Sequence, residues 1–258
     1  QRTILPTLPS LVGQVALATR YQSAAQDATV GGDLYDCYHS EAHLRFLVGD
    51  VRGKGIAAVE QAARVIRAFR QSAATEPTLA EVAEDMSAYL APFFDDEEFV
   101  TALLVDTTDP DRLTLVSCGH PPALLVDRAG QGTFLEAPAG LPLGLGSDYE
   151  EVTIPWRAGE RLLMYTDGLS EARDARGQFL PVQELAPRAR QESVDEALEA
   201  LLEAVRDHVP RGQLTDDLAV LLLEHATTDH PHTRVRPALA GNQVPAAGTG
   251  AGTGVAVR

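Results

Sequence analysis

At 258 residues, with 45% hydrophobic and 22% charged positions, the chain has an ordinary globular composition, and no apolar run approaches the roughly 20 residues of a membrane span. The net charge is −16, and residues 1–225 carry 36 acids against 18 bases, a net −18. That balance argues against nucleic acid as a partner, because a sequence-independent hold on phosphates needs clustered Lys and Arg, and it suits a cation.

Residues 1–20 lack the basic start, apolar block and small-residue cleavage site of a secretory signal, so a cytoplasmic protein is expected. Two cysteines, Cys37 and Cys118, fit a reduced compartment and read as packed thiols.

The chain opens with QRTILPTLPS, whose two prolines stop any helix entering from upstream, and residues 1–10 read as a linker end. A strand is expected over 14–21. GGDLYDCYHS and the strand at 43–49 then read as a hairpin around the polar stretch Ser40 to Ala42. Apolar residues at Ile56, Val59, Ala63, Ile66 and Phe69 predict a helix over 56–71; Leu79, Val82, Met86, Leu90 and Phe93 predict another over 78–93. Strands follow at 99–106, 111–118, 122–127, 150–155 and 161–166. A third helix carries Val194, Leu198, Leu201 and Val205, and the last strand spans 217–224. The second and third helices open with capping boxes, Thr78 with Glu81 and Ser193 with Glu196. Residues 226–258, rich in Gly, Ala and Pro without hydrophobic period, read as a flexible low-complexity tail.

Two consecutive helices between strands do not fit the alternation of a parallel doubly wound sheet. The pattern predicts one α+β domain over 11–225, with antiparallel sheets and helices packed outside them.

Four aspartates stand where strand ends can meet. The midpoint of the expected hairpin lies halfway between Asp33 and Asp50, which places both at its open end. Asp167 follows one apolar strand and Asp216 precedes another; antiparallel pairing puts these two at one end as well. Converging carboxylates repel unless protonated or neutralised, and without accompanying His or Cys an all-oxygen site favours hard cations such as Mg or Mn. Asp36 and Asp217 read as turn residues with local backbone hydrogen bonds. The run Asp95, Asp96, Glu97 and Glu98 reads as a solvated loop, His120 as a hydrogen-bonded turn residue, and His230 and His232 as tail.

The loop LVGDVRGKGIAA contains Lys54, the single lysine of the chain, and invites a phosphate-loop reading. It fails twice, because Val48 replaces the first glycine and Gly55 the hydroxyl residue of G-x-x-x-x-G-K-[ST]. Lys54 is left either to attract an anionic substrate or to be solvated.

In this order, VGGDLYD, GDVRGKG, SCGHPPALL, YTDGLSEARD and TDDLAVLLL resemble the PPM-type metal-dependent serine/threonine protein phosphatases. They are most similar to the bacterial branch related to sporulation protein SpoIIE and the stress-response phosphatase RsbU, over about Leu11 to Glu224. The resemblance implies a sandwich of two antiparallel sheets flanked by helices (αββα), and hydrolysis of phosphoserine or phosphothreonine by water activated between two Mn(II) or Mg(II) ions. It implies Asp50 as the bridge between both ions and the Val51 carbonyl as a ligand of one. Asp167 and Asp216 would complete the other ion's shell, and Asp33 would bind or orient the water. Asp33 and Asp50 are thus the implied catalytic pair. The implied substrate is a phosphoprotein of the anti-anti-sigma type, and the implied controller is an upstream sensor acting on the helices at 56–71 and 78–93. Leu34 stands where relatives often carry Trp, and no counterpart of the phosphate-anchoring arginine of eukaryotic relatives is evident. A catalytically silent binding module of the same fold is the alternative.

Overall fold

The computed structural model describes residues 5–24, 31–95 and 98–226. All but Ala226 of the expected tail, including His230 and His232, lies outside these residues, as do residues 1–4 of the expected linker end and Asp96 and Glu97 of the acidic run.

Two antiparallel sheets form the centre. The first contains β1 (Leu11–Val12), β2 (Val15–Gln22), β7 (Leu124–Val126), β8 (Gly132–Phe134), β11 (Arg161–Tyr165) and β12 (Leu218–His225), ordered β1-β2-β12-β11-β7-β8. The second contains β3 (Gly31–His39), β4 (Leu44–Lys54), β5 (Val100–Asp106), β6 (Arg112–Cys118) and β10 (Glu151–Pro155), ordered β10-β6-β5-β4-β3. The two-residue β9 (Ala139–Gly140) joins it by parallel pairing with β6.

Each central strand serves two layers because its side chains alternate. On β12 all eight residues are buried: Ala219, Leu221 and Leu223 point between the sheets, whereas Leu218, Val220 and Leu222 point outward. On β4, Phe46 and Val48 meet the first sheet, and Leu47 and Val51 face the helices. Continuous apolar runs therefore mark strands covered on both faces.

Helices α1 (Ile56–Thr75) and α2 (Leu79–Leu90) cover the outer face of the second sheet through Val65, Phe69, Val82 and Met86. Helix α4 (Val194–His208) and a 3-10 stretch at Val182–Arg190 cover the first through Leu198, Leu201, Val205 and Leu185. Both expected capping boxes are formed. Pro77 forces Glu76 to an extended ψ of 132° and so ends α1. The result is the expected αββα sandwich. Among the described residues no helix is long and apolar enough to cross a membrane.

Four differences from the sequence pattern stand out, two of them at the site. Strand β4 runs on to Lys54, because it is central and pairs with both β3 and β5 as far as Val51 opposite Val100. Asp50 therefore lies within a strand and not at its end. Helix α1 extends to Thr75, and a four-residue helix α3 (Asp167–Ser170) starts at a predicted ligand. The 3-10 stretch, with Pro187 inside it, has no simple period to reveal it.

Candidate metal centre

Hairpin pairing makes Asp33 and Asp50 direct register partners, in line with the midpoint argument. The ladder is irregular between Gly31 and Asp33, and there the backbone of β3 closes tightly on β4. A Cβ on Gly32 would come within 2.1 Å of the Val51 carbonyl oxygen, so glycine is required for this approach. The first sheet contributes Asp167, where β11 passes into α3. Gly168 lets that turn rest on β12, since a Cβ there would lie 1.9 Å from the Asp217 carbonyl oxygen.

One oxygen each of Asp33, Asp50 and Asp167 lies within 4.8 Å of the other two. Asp216 is not in this group. Its Oδ1 instead accepts from the Lys54 ammonium at 2.7 Å and from the Asp217 amide at 2.9 Å. Three of the four predicted carboxylates are thus brought together, and the fourth is turned to a lysine.

Burial raises the pKa of Asp33, and the nearby Asp50 charge adds to the rise. Burial and Asp167 raise Asp50, and burial and Asp216 raise Asp167. Without a cation the group reduces its own charge by holding protons.

A hydroxyl missed at the level of sequence fixes Asp33. Thr166, fully buried between β11 and α3, donates Oγ1–H to Asp33 Oδ2 at 2.6 Å and accepts the Ala219 amide at 2.9 Å. Its only sequence mark is its place directly before the strand-end aspartate in YTDG, which does not by itself tell it from any strand-closing threonine.

His120 is held on both sides, as expected of a structural histidine. Its Nε2 lies 2.9 Å from the Tyr165 carbonyl, which can only accept, so Nε2 carries the proton and Nδ1 accepts from Thr101 Oγ1 at 3.0 Å. Burial lowers its pKa to about 4. Asp36 takes the adjacent Cys37 amide at 2.9 Å and an ion pair with Arg70 at 2.6 Å. Asp217 is occupied by Tyr21, Ser23 and the Ala24 amide, partners distant in sequence and not the local turn expected.

Comparison with known families gives a match to Stage II sporulation protein E (SpoIIE) over residues 40–226. The chain belongs to the SpoIIE family. Within this bacterial branch of the PPM phosphatases, it is 26% identical over 173 residues to phosphoserine phosphatase RsbP of Bacillus subtilis (strain 168). That alignment covers 64% of this chain and 42% of RsbP, so the chain spans less than half of that relative. The structure of the RsbU and RsbW domains of Rv1364c from Mycobacterium tuberculosis superposes with a TM-score of 0.72 at 25% identity, covering 83% of this chain and 60% of that one. The catalytic domain of serine/threonine phosphatase PstP, in complex with two manganese ions, shares the fold at a TM-score of 0.61 and 20% identity, covering 81% of this SpoIIE-family chain and 97% of that one.

Proposed function

We propose that residues 11–225 form a Mn(II)- or Mg(II)-dependent phosphatase that hydrolyses phosphoserine or phosphothreonine on an anti-anti-sigma-type regulatory protein. The observation that carries this reading is the approach of Asp33, Asp50 and Asp167 oxygens to within 4.8 Å, from elements of both sheets. An oxygen donor set that must otherwise retain protons suits hard divalent cations. The residues that would hold two ions are Asp33, Asp50, the Val51 carbonyl, Asp167 and Asp216. Such ions, when bound, lower the pKa of water and offset charge on the phosphoryl group.

The chain's own residues supply orientation. With Oδ2 fixed by Thr166, Asp33 presents Oδ1 to orient the attacking water and accept its proton. His120 donates nothing to the leaving group, since both of its nitrogens are engaged. Support for a regulatory phosphoprotein target comes from the likeness to RsbP and to the RsbU and RsbW domains. The reading includes an upstream sensor acting on α1 and α2 through residues 1–10, supported by Leu5, which packs against the helix-covered core and the inter-sheet core.

The test is phosphate release from phosphorylated regulators in Mn(II). Wild type should turn over, and chelator or Asp50→Asn should abolish turnover. Turnover persisting in Asp50→Asn overturns the mechanism, and tight regulator binding without Mn(II) binding supports a silent binding module.

A further inference from the structure

Lys54 is the last residue of β4 and the single lysine of the chain. It stands between Gly53 at φ 109° and Gly55 at φ 89°, two left-handed positions with open space around them. Its ammonium lies 2.7 Å from Asp216 Oδ1, in a pair whose side chains are 53% and 49% exposed. The charge of Lys54 also acts on Asp33 and Asp167. A monovalent cation on a flexible four-carbon stem is therefore built into the mouth of the carboxylate group.

The same pair, together with the Asp217 amide on the same Oδ1, holds Asp216. Asp33, Asp50 and Asp167 converge, whereas Asp216 is engaged by the lysine and is not in that group. An ion pair half open to solvent is weak, and a divalent cation carries twice the charge on a smaller ion. The exchange needs little else to move. Gly55 caps α1 with no side-chain hydrogen bond, and Ile56 after it is 80% exposed.

We propose that Lys54 is a tethered counter-cation that competes with a divalent cation for Asp216. This inference rests on the carboxylate group being a cation site. While Lys54 holds Asp216, a cation can be bound by the other three carboxylates. Recruiting Asp216 requires the ammonium to leave. Lys54 thereby weakens cation binding at Asp216 and makes the centre fill in two unequal steps, in place of anchoring the substrate phosphate.

The experiment is calorimetric titration of Mn(II) into the folded wild-type chain and into Lys54→Ala, Lys54→Met and Lys54→Arg, with folding checked by circular dichroism. Loss of the competitor should tighten the weaker step by about threefold or more in the Ala and Met variants, while Arg, which keeps the charge, should stay near wild type. In an Asp216→Asn background, Lys54→Ala should have a clearly smaller effect, because the direct pair is already gone and only the longer-range charge on Asp33 and Asp167 remains. Equal or weaker Mn(II) affinity in Lys54→Ala overturns the competition and leaves the metal reading intact. No Mn(II) binding in wild type or any Lys54 variant overturns both. Binding that appears only in the Ala and Met variants supports the competition in its strongest form.

Discussion

Thr166 of the first sheet gives its hydroxyl proton to Asp33 of the second across 2.6 Å, tying the two layers together where the carboxylates meet. The same oxygen accepts the Ala219 amide, so Thr166 is bonded as donor and acceptor. Thr166→Val keeps the shape but leaves a buried carboxylate oxygen and a buried amide unpaired. The expected cost is about 1–3 kcal/mol of stability. If Thr166 positions Asp33, kcat should fall with KM nearly unchanged, and Thr166→Ser should restore it. Unfolding curves and steady-state kinetics on the three proteins check this; a kcat equal to wild type in Thr166→Val refutes the positioning role.

The protons held by the carboxylate group have a thermal signature. Asp33, Asp50 and Asp167 all have raised pKa values, so in the absence of cations the folded state binds more protons than the unfolded one as pH rises above the ordinary 3.8. Their contribution to stability therefore declines with rising pH in that window. Chelated protein should melt lower at about pH 8 than at about pH 6, and Mn(II) should raise the Tm more at the higher pH. Thermal scans in chelator and in Mn(II) read both effects. A Mn(II) shift that shrinks as pH rises would contradict the assignment.

Much of this centre was legible in the sequence because turns count residues. Ser40 to Ala42 fixes the hairpin midpoint, and the register then pairs Asp33 with Asp50. The apolar strand before Asp167 carried equally direct information, since its run ends where the carboxylate begins, whereas the same argument for Asp216 placed it near the site but not in the group. Thr166 was not legible, because a threonine closing an apolar strand looks like any β-former until its partner 133 residues away is known. Lys54 stood out in the sequence, but its pairing with Asp216 was hidden for the same reason, the partner being 162 residues distant. The extent of β4 was obscured where Gly49 and Asp50 break the apolar run, although pairing on both edges carries the strand through.

His120 gives a second pH effect of opposite sign. Its folded pKa is about 4 against an ordinary 6.5, so the fold refuses a proton that the unfolded chain accepts. The stabilising contribution is complete above 6.5 and is lost as pH falls toward 4, a change on the order of 3 kcal/mol. His120→Gln does not titrate. The stability gap between wild type and His120→Gln should therefore narrow from about pH 7 to about pH 5, measured by urea unfolding. A constant gap would mean that the imidazole is not kept neutral by its burial.

Each sheet also holds one buried arginine that ties down a covering helical segment. Arg161 on β11 pairs with Glu224 and donates to the Ala189 carbonyl within the 3-10 stretch and the Glu192 carbonyl just after it. Arg45 on β4 is 1% exposed, pairs with Asp106 at 2.7 Å, and donates to the carbonyls of Ala73, Glu76 and Pro77 at the end of α1. In Arg45→Met the alkyl volume is kept, but the three carbonyls lose their donor and Asp106 loses its counter-charge. The expected loss is about 3–5 kcal/mol by urea unfolding. Adding Asp106→Leu should recover part of it, because the uncompensated carboxylate is then removed as well. Hydrogen exchange should quicken at the end of α1 in the single variant, since those amides lie in the turn that Arg45 holds. Arg45 lies five residues before Asp50 on β4, so Mn(II) affinity should hold while the helix end loosens. A parallel loss of Mn(II) affinity would instead mean that the far end of α1 is coupled to the carboxylate group through the rigid strand.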